Sequence, residues 1–202
     1  MTMWLAPAPL VLASRSAARR VLLEAAGIPI ALCPAGLDER AFESQATAND
    51  PPAIAVMLAR EKASLVAKLH AGQLVLGADQ TLALGSKRFS KPPDRFAARA
   101  LLQALRGRSH ELHAALAFVD DGAVVFEHVE TARLTMRPFS DDFLDRYLDA
   151  MGDGVLASVG CYQLEGLGVQ LFERIDGDYF TILGLPLLQG LDFLRRRGCL
   201  VP

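Results

Sequence analysis

Leu74-Val75-Leu76-Gly77-Ala78-Asp79-Gln80 is an apolar run that closes on an acid and an amide. An uninterrupted apolar run next to a glycine reads as a strand buried on both faces, the kind found in parallel or mixed sheets covered by helices. Functional side chains in such sheets gather at the strand's carboxyl end, where this reading puts Asp79. Beyond it, Thr81-Leu82-Ala83-Leu84, the turn pair Gly85-Ser86, and Lys87-Arg88-Phe89-Ser90-Lys91 have the composition of a hairpin. Such a hairpin returns Lys91, flanked by Ser90, Pro92 and Pro93, beside Asp79. Asp is also a common turn former, so this segment taken alone leaves a purely structural role open.

Upstream, Pro9 to Ala13 reads as a strand, Ser14-Arg15-Ser16 as a tight loop, and Ala17 to Ala26 as a helix ended by Gly27. Strand, Ser-x-Ser loop and helix in that order aim backbone N–H groups and two hydroxyls at one point, which suits a phosphate. Arg19 and Arg20 follow, and a guanidinium fork grips phosphate oxygens in pairs. There are no glycines of the P-loop kind, and two serines capping a helix beside solvated arginines is the plain alternative.

Ile28 to Cys33 reads as a second strand, and Pro34 to Asn49 as polar and irregular, carrying Asp38 and Glu39. Asp50-Pro51-Pro52 starts a long helix running to about Leu69. At about 100° per residue, Ile54, Ala55, Leu58, Ala59, Leu65, Val66 and Leu69 share an arc of roughly 140°. Lys62 falls near the middle of that arc. A desolvated ammonium is costly, so Lys62 either reaches the rim or meets an anion, with neighbouring Glu61 as the local candidate.

Asp94 caps a helix to about Leu105, with Phe96, Ala97, Leu101 and Leu105 on one stripe. His110 to Val119 and Ala123 to Met136 flank Asp121-Gly122, a hairpin signal. Ser140 caps a helix with Asp141 and Asp142 in its first turn, ending near Met151-Gly152. Val155 to Phe180 is glycine-rich, with strands expected at Val169 to Phe172 and Tyr179 to Leu183. Pro186 opens a last helix that Arg195-Arg196-Arg197-Gly198 ends, a run that compensates the helix dipole.

The chain has 202 residues, 51% hydrophobic and 22% charged, enough for one domain or two tightly joined lobes. With 21 basic against 23 acidic residues it lacks the field that holds nucleic acid or an anionic membrane nonspecifically. Cys33, Cys161 and Cys199 fit neither a disulfide framework nor a structural zinc, and a reducing cytoplasm is expected. Met1 to Ala13 is apolar but interrupted by Pro7 and Pro9 and has no basic leader, so neither signal peptide nor anchor is expected.

A phosphate-ester enzyme needs carboxylates, because Mg²⁺ or Mn²⁺ takes oxygen ligands and the attacking water must be oriented. Asp79, Asp38, Glu39 and Glu165 are the candidates, the last lying in Gln163-Leu164-Glu165-Gly166-Leu167-Gly168. His110-Glu111-Leu112-His113 has the wrong spacing for a zincin helix and sits in an expected strand. No G-x-S-x-G or G-x-G-x-x-G fingerprint supports a serine hydrolase or a Rossmann domain.

Taken together, Leu10-Val11-Leu12-Ala13-Ser14, Leu58-Ala59-Arg60-Glu61-Lys62-Ala63, Gly77-Ala78-Asp79, Gly177-Asp178-Tyr179 and Gly184-Leu185-Pro186 resemble the Maf family of nucleotide pyrophosphatases, in order and over nearly the whole chain. The resemblance implies an α/β fold, with a Maf/ITPase-like extended mixed β-sheet, flanking helices and two lobes enclosing a cleft. It implies hydrolysis of a nucleoside triphosphate to monophosphate and pyrophosphate, a divalent metal cation (Mg²⁺ or Mn²⁺), a homodimer and a cytoplasmic housekeeping role. The family's Ser-x-Ser and following arginine fall on Ser14, Ser16 and Arg19, its early acid on Glu39, and its helical lysine on Lys62. Its acid after Gly-Ala falls on Asp79 and its lysine before proline on Lys91. Catalysis is thereby expected of Asp79, Glu39 and Lys91, and metal binding of Asp79 and Glu39. Ala17-Ala18 stand where the family often has Pro-Arg, which removes one phosphate contact, and Ser90 stands for Gly. Gln80 and Glu165 look like the subgroup active on 7-methyl-GTP rather than on dTTP or UTP, since a carboxylate can accept the N–H edge of guanine and favours a cationic methylated base. The rival reading is a nucleotide-binding regulatory protein that senses a triphosphate without cutting it.

Overall fold

The computed structural model describes residues 2–44 and 50–202. Of the stretch expected to be irregular, residues 45–49 lie outside those described. The strands are β1 (Leu10–Leu12), β2 (Ile30–Leu32), β3 (Val75–Leu84), β4 (Lys87–Phe89), β5 (Ser109–Asp120), β6 (Ala123–Met136) and β7 (Phe172–Asp176). The helices are α1 (Ala17–Ala25), α2 (Glu39–Ser44), α3 (Pro51–Ala67), α4 (Arg95–Leu105), α5 (Asp141–Met151), α6 (Tyr179–Ile182) and α7 (Leu187–Arg196). The strand order is β2-β1-β3-β5-β6-β7, with β4 on β3. β1 runs parallel to β2 and to β3, while β4 and β7 pair antiparallel with β3 and β6, so the sheet is mixed as expected.

The chain forms two compact units. One comprises Met1–Gln80, His113–Glu130 and Tyr179–Pro202, the other Thr81–Leu112 and Thr131–Asp178. In the first, alternation along the strands feeds two cores. Leu10, Leu12, Leu76, Ala78, Leu116 and Phe118 pack with Leu22 and Leu23 of α1 and Leu187 and Leu194 of α7. Val11, Ala13, Val75 and Val119 pack with Ala63, Val66 and Ala67 of α3. The period of two thus buries both faces with helices on each. The second unit holds α4 and α5, bound to each other by Arg99–Asp145 at 2.8 Å and by an Arg95–Asp149 pair, with Arg106 meeting Asp141 at 2.7 Å.

Caps are where the residue types placed them. Asp50, Asp94 and Ser140 accept from Ala53, Ala97 and Phe143 at 3.3, 2.8 and 3.1 Å. Asp121 and Gly122 take positive φ, 44° and 79°, which closes the β5–β6 hairpin as a tight primed turn.

Other expectations are corrected. β3 does not stop at Asp79 but continues to Leu84, because the apolar residues after the acid pair with β4, Leu82 opposite Phe89. Glu39–Ser44 is helical within the stretch read as irregular, begun by Asp38, whose carboxylate accepts from Ala41 at 3.1 Å. Leu69 is 75% exposed, since α3 ends at Ala67. Phe96 is 84% exposed, and Ala98, Leu101, Leu102 and Leu105 form the buried stripe of α4 instead. Residues 167–171 form a 3₁₀ turn and Tyr179–Ile182 a short helix, not strands. Cys33, Cys161 and Cys199 carry free thiols. Among the described residues no helix is long and apolar enough to cross a membrane.

Candidate active site

Alanine recurs every fourth residue along α3, at 55, 59, 63 and 67, and all four are buried. This smooth ridge lets the helix lie directly on the sheet, with Ala55 and Ala59 against Ala115 and Ala117 of β5. Contact is closest at Gly77, where an added Cβ would stand 2.0 Å from the Ala59 carbonyl oxygen and 2.7 Å from the Ala63 nitrogen. Gly77 and Asp79 share the face of β3 that meets α3, and Lys62 stands between Ala59 and Ala63 on the helix. The backbone approach at Gly77 therefore delivers the Lys62 ammonium to the Asp79 carboxylate.

Lys62 Nζ donates to Asp79 Oδ1 at 2.6 Å and meets Glu39 Oε1, from the first turn of α2, at 2.7 Å. It meets these two acids, not Glu61. Lys62 and Asp79 are only 8% and 6% exposed, whereas the Glu39 side chain is 49% exposed. Burial pushes the Asp79 carboxyl above the ordinary carboxylate range, against the opposing pull of Lys62 and Arg19. The acid still stands at an end, though of a different strand. β1 pairs with β3 through Leu12 and Leu76, and Ala13 N donates to Leu76 O at 2.8 Å. Asp79 lies three residues beyond Leu76, past the last paired residue of β1, where the chain leaves the sheet at Ser14.

The opposite face of β3 is organised by Arg19, itself 8% exposed. Its Nε donates to Gly184 O at 2.8 Å, and Nη1 donates to Ala78 O at 2.7 Å and Ser14 Oγ at 3.2 Å. Burial lowers its pKa, and Asp79 and Glu39 counter that. The fork expected to hold phosphate thus spends Nε and Nη1 on the protein, while Nη2 makes none of these bonds. Ser14 Oγ also accepts from Ser16 N at 3.2 Å, and Ser16 Oγ caps α1 by accepting from Arg19 N at 3.3 Å. Gln80 donates both amide hydrogens, to Thr181 O and Ile182 O, each at 3.0 Å.

The first unit therefore gathers Ser14, Ser16, Arg19, Glu39, Lys62, Asp79 and Gln80. Lys91, just beyond β4, and Glu165, before the 3₁₀ turn, belong to the second unit. Sequence reasoning missed the Gly184, Thr181 and Ile182 carbonyls, because a backbone oxygen carries no signature of its partner. It also missed the α3 ridge, although alanine at 55, 59, 63 and 67 was a readable signal.

Two carboxylate oxygens converging on one buried cation are a hard, anionic donor pair. Among the described residues no cluster of three or more His, Cys, Asp or Glu side chains is built for a metal ion. A pair suffices for Mg²⁺, which binds through one or two carboxylates and completes its shell with water and substrate phosphates. Asp79 and Glu39 fit such an ion.

The profile of a family described as "Maf-like protein" matches residues 9–197. A protein of Rhodopseudomonas palustris (strain HaA2) named nucleoside triphosphate pyrophosphatase is 55% identical over 200 residues, 99% of each chain. One of the same name from Bradyrhizobium diazoefficiens is 53% identical over 195 residues, 96% of each. Among solved structures, a HAM1 protein from Coxiella burnetii aligns over 63% of this chain and 72% of its own, at 17% identity and a TM-score of 0.38.

Proposed function

The chain belongs to the Maf-like protein family, and on that premise we propose that it hydrolyses a nucleoside triphosphate to the nucleoside monophosphate and pyrophosphate. The observation that carries the reading is the buried Lys62 ammonium held between the Asp79 and Glu39 carboxylates, beside the Ser14 end of β1. Water adds to the α-phosphorus, the bond from that phosphorus to the bridging oxygen breaks, and pyrophosphate leaves with the electron pair. Asp79 orients the water and takes its proton, a role suited to a carboxyl raised by burial. Lys62 and Lys91 neutralise the triphosphate, and Arg19 holds the backbone on either side of the site. A divalent cation on Asp79 and Glu39 would supply further charge neutralisation when bound.

The finer reading concerns the base. Glu165 accepts the N–H edge of a guanine and favours the positive charge of a 7-methylated one, so 7-methyl-GTP is the proposed preferred substrate. Gln80, with both amide hydrogens on Thr181 and Ile182, supports the loop rather than reading the base through those donors. A cytoplasmic homodimer, as the family resemblance implies, completes the proposal, and the near-neutral charge supports the reading that it holds neither nucleic acid nor an anionic membrane nonspecifically.

A panel of natural and methylated triphosphates, assayed for pyrophosphate with excess Mg²⁺, tests this. Asp79→Asn is expected to abolish turnover and keep much of the nucleotide binding. Undiminished pyrophosphate release by that variant would remove Asp79 from the mechanism. Binding without release by the wild type across the whole panel would favour the regulator instead.

A further inference from the structure

The Lys62 ammonium stands where the two metal-binding carboxylates converge, 2.6 Å from Asp79 Oδ1 and 2.7 Å from Glu39 Oε1. Both contacts are charge-assisted and the ammonium is buried. A divalent ion accepting those same oxygens would sit close to Nζ, and two cations at that range repel strongly in a site largely shielded from water. The lysine must leave before the ion can enter. Its long stem allows that movement, provided that an anion receives the ammonium elsewhere. A triphosphate is such an anion, and the Ser14 loop marks the side on which its oxygens would arrive.

We infer that Lys62 is a resident cation of the metal site, which excludes a free divalent ion and yields to one that arrives with a triphosphate. This rests on the pyrophosphatase reading and goes beyond it: metal and nucleotide bind with positive coupling, and one side chain sets that coupling. By linkage, the triphosphate raises the affinity for the ion as much as the ion raises the affinity for the triphosphate. With the lysine removed, the coupling shrinks. Each carboxylate then offers its oxygens to a bare ion, whereas the triphosphate loses a contact.

The test titrates Mn²⁺ into the full chain, following free Mn²⁺ by electron paramagnetic resonance, alone and with a non-hydrolysable α,β-methylene triphosphate. Wild type is compared with Lys62→Met and with Lys62→Gln, which keeps hydrogen-bond donors should the apolar variant fail to fold. Circular dichroism and thermal melting report folding. Expected is Mn²⁺ binding by the variants without nucleotide about ten-fold tighter than by wild type, and a smaller gain on adding the analogue. Adding Asp79→Asn to either variant should erase the gain, placing it at this site. If neither variant binds bare Mn²⁺ more tightly while wild type releases pyrophosphate and holds Mn²⁺ with the analogue, this inference falls and the pyrophosphatase reading stands. If wild type neither releases pyrophosphate nor holds Mn²⁺ with the analogue, both fall.

Discussion

Gly77 lies so close to α3 that a methyl group on it would stand 2.0 Å from the Ala59 carbonyl oxygen. The obstacle is helix backbone, which cannot rotate aside as a flexible side chain can. Gly77→Ala therefore pushes α3 off the sheet and draws Lys62 away from Asp79. A loss of about 1–3 kcal/mol or more of stability is expected from overpacking. Activity should fall further than the folded fraction does. Denaturant unfolding alongside pyrophosphate release checks this, and a variant with unaltered stability would show that α3 does not rest on Gly77.

Arg19 is predominantly a brace. Arg19→Met leaves the Ala78 and Gly184 carbonyls without their charged donor in a buried site. The expected cost is about 3 kcal/mol, since hydrogen bonds to charged groups are worth roughly 1.5–3 kcal/mol each and a buried acceptor left bare adds to the loss. Arg19→Lys should recover little of it, because one ammonium cannot reproduce a fork directed at three oxygens. Urea unfolding without nucleotide gives the answer. An arginine serving phosphate alone would leave the ligand-free protein as stable as the wild type.

The sequence made the local rules legible and the long-range pairings much less so. Asp50, Asp94 and Ser140 announced their helices, and Asp121-Gly122 its hairpin, because caps and primed turns depend on a few adjacent residues. Tyr179 to Leu183 was misread because a short apolar run fits a strand or a buried helical turn equally well, and tertiary packing decides between them. Lys62 was singled out by its place among apolar neighbours, but its partners lie on β3 and α2 rather than one residue away. Likewise the end of β3 could not be read from Asp79, since pairing with β4 extends the strand past the acid.

Gln80 ties β3 to the segment after it by donating to Thr181 O and Ile182 O. Gln80→Glu keeps the shape but turns two donors into acceptors aimed at carbonyl oxygens. It should therefore cost more than Gln80→Ala, by about 1–3 kcal/mol, because the carboxylate is desolvated against like partners. Hydrogen exchange should accelerate over residues 179–185 in both variants, and more in the glutamate. Equal protection in all three proteins would show that this amide does not hold the segment.

His110 gives the second unit an acid weakness. The ring is buried, Nε2 lies 2.8 Å from the Tyr162 hydroxyl, and Nδ1 has no hydrogen-bond partner among the described residues. Burial lowers the pKa from 6.5 to about 4. The unfolded chain therefore takes up a proton near pH 6.5 that the folded chain refuses until about pH 4. Stability from this group is complete above pH 6.5 and drains away as the pH falls toward 4, by about 3 kcal/mol at roughly 1.36 kcal/mol per pKa unit. His110→Gln keeps a polar atom near Tyr162 and cannot titrate. The stability difference between wild type and variant, measured by urea unfolding from pH 7.5 to 4, should shift by that amount in favour of the variant. Carboxylates common to both proteins cancel in the difference, so a difference that stays constant with pH would mean that His110 takes up its proton equally well in the folded chain.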